Sequence, residues 1–333
     1  MKTFSGPVIV TGGAGFIGSE LTRQLVQLGA EVIVVDNLVN GKKDNLKEFL
    51  GRGVRLETID IRDIDAMMPL LKKAHTVFHL ACLGVRHSLH SPMENHQVNA
   101  TATLQLIHAA HENNVNRFVH VSTSEVYGTA QWAPMTEEHP TSPETVYGSS
   151  KLAGEAYVRA YFRTHHFPAV IVRPFNAFGP RSHHEGDSGE VIPKMMLRAM
   201  AGQPLIVFGD GEQTRDFTFV SDTARGIISA GTSEAAIGET LNIGSGQEIS
   251  IRELAQKISS VAGRNIGQIE YRDSRPGDVK RLCADTSKAK MLINYSAETT
   301  LIDGLEQVLN WYRNIAASTE DLLADEIVEN WRK

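Results

Sequence analysis

The chain carries only two cysteines, Cys82 and Cys283, in 333 residues. That is too few for a disulfide framework, and no cysteine–histidine cluster has zinc-site spacing. It lacks any apolar run near the roughly 20 residues that span a bilayer, so no membrane partner is expected. Residues 1–7 are too short and polar for a secretory signal. An excess of basic charge is also missing. The formal net charge is −6, against the basic surface that nucleic-acid binding asks for, so no nucleic-acid partner is expected. Internal repeats and low-complexity linkers are absent. What is left is an ordinary globular composition, 41% hydrophobic and 22% charged, long enough for one large domain or two coupled ones. These features point to a soluble protein in a reducing, cytoplasmic setting.

Up to Pro174 the sequence alternates apolar strand-like runs with helix-like segments. The spacing predicts strands over Val8–Val10, Glu31–Asp36, Val54–Ile59, Thr76–Leu80, Arg117–Val121 and Ala169–Arg173. Helical periodicity covers Phe16–Leu28, Ala66–Leu71, Asn99–Asn113 and Tyr147–Thr164. Apolar strands alternating with helices build right-handed parallel βαβ units. The expected fold is therefore α/β, a doubly wound parallel sheet of the Rossmann kind, with a smaller α/β lobe. Beyond Pro174 the pattern loosens. Asn176–Glu190 reads as a loop, Val191–Ala201 as a helix and Gln203–Gly211 as a strand and turn. Ser250–Gly263 is a helix opened by Ser250 with Glu253 three residues on, a capping box. Thr300–Asn314 is another. The expected division is 1–174 with about 217–242 for the nucleotide-binding domain, and 175–216 with 243–315 for a substrate lobe. The tail, 316–333, has Leu322, Leu323, Ile327, Val328 and Trp331 spaced as one more amphipathic helix.

The first strand runs into Thr11-Gly12-Gly13-Ala14-Gly15-Phe16-Ile17-Gly18. Gly12, Gly15 and Gly18 let the turn tighten, let backbone approach a pyrophosphate, and let the helix pack on the strand. The helix start then offers free N–H groups to phosphate. Asp36 ends the second strand, where a carboxylate can hold a ribose diol and repel a 2′-phosphate. NAD is therefore expected over NADP, with Lys42 and Lys43 leaving a small opening for the phosphorylated form. Asp60 and Ile61 end the third strand, within expected reach of the adenine.

Tyr147 and Lys151 stand four residues apart, on one helix face. A phenol of pKa about 10 is a poor base at neutral pH, and a nearby ammonium favours its ionised form. The strand before them ends in Ser122-Thr123-Ser124-Glu125-Val126-Tyr127-Gly128. It delivers hydroxyls and one carboxylate to the edge where α/β sheets bind ligands.

These motifs, with His79-Leu80-Ala81, Asn99, Arg173-Pro174-Phe175-Asn176 and Arg215-Asp216-Phe217, make the sequence resemble the extended short-chain dehydrogenase/reductase family, in its nucleotide-sugar epimerase, dehydratase and decarboxylase branch. The resemblance covers about residues 6–315. It implies tightly bound NAD that takes a hydride from C4 of a nucleotide-diphosphate sugar. It implies that Tyr147 removes the C4 hydroxyl proton, that Thr123 shares its hydrogen bond, and that Lys151 holds the nicotinamide ribose. Asn37, Leu80, Ala81, Asn99 and Pro174 would join the cofactor contacts. Asn176 would touch the substrate phosphates, Arg215 and Arg275 would neutralise them, and Asp278 would hold the nucleoside ribose. Val191 and Pro204–Phe208, with Val207 and Phe208, would line the base pocket. A homodimer through the helices 99–113 and 147–164 is implied as well.

The Thr123-Ser124-Glu125 triplet resembles that of GDP-mannose-type 4,6-dehydratases, some N-acetylhexosamine dehydratases and glucuronate decarboxylases. dTDP-glucose dehydratases usually have Asp at the position of Ser124. A 4,6-dehydratase needs a base at C5, and Glu125 can be one; this is the leading expectation. A C4 epimerase comes second, a UDP-uronate decarboxylase third, and a non-catalytic NAD sensor is the alternative from another class. Two loops depart from the family pattern. Ala81–Ser88 is one residue short; its Val85 and Arg86 are assigned to the substrate, although a surface position for Arg86 is the favoured reading. The loop 181–187 sets His183 and His184 beside Glu185 and Asp187, but lacks the regular spacing that preorganises metal ligands, so no metal is expected. For Arg215 the competing reading is a salt bridge with Asp216.

Overall fold

The computed structural model describes residues 4–186, 188–263 and 269–331. Asp187, in the His183–Glu185 loop, and the last two residues of the tail lie outside them.

Seven parallel strands form the central sheet: β1 (Val8–Thr11), β2 (Val32–Val35), β3 (Val54–Glu57), β4 (Thr76–His79), β5 (Arg117–Val121), β6 (Ala169–Pro174) and, later in the chain, Thr240–Ile243. Their spatial order is Thr240–Ile243, β6, β5, β4, β1, β2, β3. The order reverses at β1, which places a crevice beyond its carboxyl end. Successive residues point to opposite faces. Val8 and Val10 pack on one side with Val32, Val34, Val119 and Val172. Ile9 packs on the other with Ile33, Val77, Phe118 and Ile171. Both faces are dry, which is why these strands are continuous apolar runs.

Two elements of this domain are not legible as expected. Thr240–Ile243 supplies the seventh strand, and Val220–Thr232 is a helix under the sheet. Its Gly226 and Gly231 are poor helix formers, but a Cβ there would stand 2.9 Å from Ile243 and 2.6 Å from Phe78. Close packing keeps them glycine and hides the helical periodicity.

The second lobe has its own core. Helices Val191–Ala201, Ile251–Val261 and Leu301–Arg313 enclose Met195, Met196, Leu254, Ile258, Leu305 and Val308. β7 (Asn176–Phe178), β9 (Thr214–Phe219) and β11 (Glu248–Ser250) form a small sheet, with β8 (Leu205–Phe208) and β12 (Ile269–Arg272) paired separately; Thr240–Ile243 is β10. The Ser250/Glu253 capping box forms at both hydrogen bonds. The tail is not one helix. Thr319–Ala324 is helical, and 325–331 runs on as a strap of turns with one β-bridge at Glu326. Specific contacts to the lobe, described below, override its helical spacing.

The helix Val146–His165 is fixed to β6 by charge. Glu155, fully buried, takes Arg173 of β6 at 2.7 Å and Arg159 at 2.5 Å. Removing one partner strands a buried charge, which costs about 3–5 kcal/mol. Glu155→Ala should lower unfolding stability by that order in denaturant titration. A loss below about 1 kcal/mol, the range of exposed pairs, would contradict this account of the docking.

Candidate active site

The functional groups collect at the carboxyl ends of the parallel strands. At the end of β1, Gly12 adopts φ +70°. A Cβ on Gly18 would lie 2.1 Å from the Gly12 carbonyl oxygen, and one on Gly12 would lie 2.7 Å from the Ala81 nitrogen. The turn is therefore pressed against both its own helix and the end of β4. The helix Phe16–Gln27 has Gly15 as its N-cap and no capping side chain, so its first N–H groups face the crevice. Asp36 is buried and accepts from Ala14 N at 3.0 Å and Leu38 N at 2.9 Å. Burial raises its pKa, and those two N–H groups oppose the rise. This bare helix start beside an acid, in a turn a Cβ would fill, fits a dinucleotide. Asp60 faces Asn37 at 2.9 Å and Arg62 at 2.7 Å, and the Arg62 guanidinium holds its carboxyl down to about 2. Ile61 is buried.

Thr11 links this turn to β4. Its hydroxyl meets His79 Nδ1 at 2.8 Å and accepts from Leu80 N and Ala81 N. Asn99 is tied to the segment that follows β4. Only 1% exposed, it accepts from Leu83 N and donates to Leu83 O, both at 2.9 Å. Its side chain shapes the segment after β4. Part of the loop expected over Ala81–Ser88 is instead the helix Val85–His90, with Gly84 as N-cap. Asn95 donates to the carbonyls of Leu83 and Gly84 and braces its start.

That helix turns Arg86 inward. The surface position favoured from the sequence is wrong. Burial lowers its pKa to about 10, and its charged neighbours are Arg275, Asp278, Glu125 and Arg215. Arg215 is paired, but not with Asp216. It reaches Asp278 at 2.6 Å, whereas Asp216 is consumed by Ser245, Gly246 and Ala284. Arg275 reaches Asp278 at 3.5 Å and lies 5.2 Å over the Phe208 ring. Three guanidiniums face two carboxylates, Asp278 and Glu125, which leaves excess positive charge for an anion. Asn176 Oδ1, Ser122 Oγ and Arg275 Nε are buried without a partner; such groups are costly unless a ligand satisfies them.

Tyr147 and Lys151 stand in the first turns of Val146–His165, a helix capped by Thr145. Lys151 is 1% exposed and donates to the carbonyl of Val121, the last residue of β5, at 2.7 Å. Burial lowers its pKa. Burial pushes the Tyr147 phenol far above its ordinary value; Cys82, Glu125 and Glu190 push the same way, while a hydrogen bond from Thr123 opposes. In the protein alone burial outweighs any lowering by the Lys151 ammonium. Thr123 also accepts from Glu125 N at 3.2 Å, and Ser124 and Pro174 are buried beside it. Glu125 itself is raised by burial, against the pull of Arg215 and Arg86.

Two neighbours of Tyr147, Cys82 and Glu190, escaped sequence reasoning. Cys82 follows β4. Glu190 caps Val191–Ala201, and burial raises its carboxyl to about 7. His183 accompanies it, accepting at its carbonyl from Glu190 N at 2.8 Å. No local spacing marks them. Among the described residues no cluster of three His, Cys, Asp or Glu can hold a metal ion, and no helix is long and apolar enough to cross a membrane.

Residues 9–308 match the family described as GDP-mannose 4,6 dehydratase. The chain is 33% identical to the UDP-glucose 4-epimerase of Mycolicibacterium smegmatis, over 92% of this chain and 98% of that one. It is 32% identical to UDP-glucuronic acid decarboxylase 1 of Xenopus tropicalis, over 92% of this chain and 72% of that one. The crystal structure of DesIV, a dTDP-glucose 4,6-dehydratase from Streptomyces venezuelae with NAD bound, superposes with a TM-score of 0.87 at 31% identity, covering 92% and 97% of the two chains. A Rossmann sheet carrying this crevice defines an NAD-dependent enzyme of the short-chain dehydrogenase/reductase kind. More narrowly, the chain belongs to the extended short-chain dehydrogenase/reductase family of NAD-dependent nucleotide-sugar epimerases and dehydratases.

Gly18→Ala would force backbone apart at the cofactor turn. Overpacking of this kind costs about 1–3 kcal/mol, so NAD retained on purification should fall by about tenfold. Wild-type NAD content in the variant, released by denaturation and quantified by absorbance, would contradict the fit.

Proposed function

We propose that the protein is a nucleotide-diphosphate-sugar 4,6-dehydratase. One observation carries the reading: Glu125 lies in the same cleft as Tyr147, with its carboxyl raised by burial. An epimerase needs no second base, whereas dehydration needs one at C5.

In this reading Gly12, Gly15, Phe16, Ile17, Gly18, Asp36 and Lys151 hold the cofactor. Bound NAD supplies a positive nicotinamide that favours the Tyr147 phenolate, a hydride acceptor at C4 and afterwards a hydride donor at C6. Tyr147 takes the C4 hydroxyl proton, with Thr123 steadying the same oxygen. The resulting ketone makes the C5 hydrogen acidic, and the Glu125 carboxylate removes that proton. The C6 hydroxyl leaves as water with a proton from Glu190, whose titration near 7 suits an acid at neutral pH. Ser124 hydrogen-bonds the sugar beside them. A proton returns to C5 from Glu125 as C6 accepts its hydride, and the product is a 4-keto-6-deoxy sugar. Arg215, Arg275 and Asn176 bind the diphosphate, Asp278 the ribose, and Val191, Val207 and Phe208 the base. A raised Glu125 pKa also sets the acid limb of the rate profile above the ordinary carboxylate range, because the base must be ionised.

Arg86 favours a second reading. A guanidinium facing Glu125 suits a sugar carboxylate, and so a uronic acid that is decarboxylated or epimerised at C4. The names of the relatives include all three reactions. Two free cysteines, one exposed, suit a reducing cytoplasm. The helices Ala102–Glu112 and Val146–His165 pack together and leave Leu104 exposed, which supports a homodimer across that face.

Incubation with UDP-, dTDP-, GDP- and CDP-hexoses should give a product lighter by one water in mass spectrometry. Glu125→Gln should slow water loss by about 10²–10⁴-fold while C4 oxidation, seen as transient NADH absorbance, persists. Unchanged mass with inverted C4, or loss of carbon dioxide from a uronate, would overturn dehydration. Light scattering at micromolar protein should give twice the 36.5 kDa chain mass; a monomer would refute the dimer.

A further inference from the structure

The family match ends at residue 308, yet the chain continues and returns to the substrate lobe. The strap 325–331 is held along its length. Gly186 N donates to Asp325 O at 3.0 Å, and Gly186 and Glu326 form a β-bridge. Arg198 grips the Glu326 carboxylate at 2.7 and 3.1 Å. Lys194 Nζ donates to Ile327 O at 2.6 Å, and Asn330 Nδ2 to Gly189 O at 3.1 Å. The Trp331 ring meets Phe208 edge-on at 4.8 Å. Phe208 is the same ring that Arg275 covers from another side.

These contacts border a pocket that stays partly open to solvent. Its inner wall is Val191, Ile206, Phe208 and Arg275, and its outer wall includes Glu326, Val328 and Asn330. The inner wall is the surface assigned above to the base and diphosphate. The strap does not merely cover the lobe, because it presents Val328 to the space that a nucleobase would enter. Its anchors keep it there. Glu326 neutralises Arg198, and Lys194, whose pKa burial lowers to about 8, is tied to strap backbone.

We infer that the C-terminal strap is the outer wall of the nucleotide pocket and that Val328 helps select the nucleobase. The inference rests on the proposed nucleotide-sugar reading, since it takes Val191, Phe208 and Arg275 as nucleotide contacts. In an apolar pocket, adding or removing side-chain volume shifts discrimination by about 10–200-fold.

The test is calorimetric binding of UDP, dTDP and GDP to the full-length NAD-containing protein and to two variants. Val328→Trp fills the slot and should weaken the best-bound of the three at least about tenfold. Val328→Ala widens it and should change the GDP-to-UDP affinity ratio by about tenfold or more, within the range of such pockets. NAD content and thermal midpoint should stay at wild-type values in both, which separates a pocket wall from a brace. If Val328→Trp does not fold, the ratio in Val328→Ala decides alone. Wild-type affinities and ratios in the folded variants would overturn the inference and leave the proposed function standing. Failure of the wild-type protein to bind any of the three, and CDP besides, would overturn both.

Discussion

One buried contact organises the site. Lys151 sits in the first turns of the helix Val146–His165, and its ammonium donates to the carbonyl of Val121 at the last residue of β5. That bond joins two elements on which the chemistry depends. The helix carries Tyr147, and the strand releases Thr123, Ser124 and Glu125 immediately afterwards. A buried ammonium must be hydrogen-bonded to be tolerated, so the register between helix and strand end is fixed by the cost of leaving Lys151 unpaired. Glu155 and Arg173 repeat the principle one turn further along, anchoring the same helix to β6. The parallel sheet does the rest, since every strand points its carboxyl end at one crevice.

The site is electrostatically unbalanced in the protein alone. Burial holds Tyr147 neutral and raises Glu125 and Glu190. Arg86, Arg215 and Arg275 converge on Asp278 and Glu125 with more positive charge than the carboxylates answer. In the proposed reading a diphosphate would answer the guanidiniums, and an oxidised nicotinamide the phenol. The arrangement is one in which ligands complete the charge balance, as expected of a catalytic site whose pKa values are tuned by burial.

What could be read from the sequence follows from how far each signal travels along the chain. The Gly12–Gly18 turn, Asp36 and the Tyr147/Lys151 pair are local spacings attached to recognisable strands and helices, so fold class, family and cofactor were legible. Arg86 was misjudged because its direction is set by Asn95 and Asn99, which hold the preceding backbone from another helix. Glu190 reaches Tyr147 only through the folding of an irregular loop. The helix Val220–Thr232 was hidden by glycines that serve packing. The tail was read as a helix because its apolar spacing fits one; Arg198, Lys194 and Phe208, all distant in sequence, draw it out instead.

The central claim, that Glu125 turns a shared C4 oxidation into dehydration, has a direct test in the fate of the C5 hydrogen. The reaction is run in deuterium oxide with whichever nucleotide sugar turns over, and the product is examined by proton NMR. The account predicts a 4-keto-6-deoxy sugar with deuterium at C5 and the original C4 hydrogen moved to C6. A product that keeps its C5 hydrogen and differs from substrate only by inversion at C4 would contradict it.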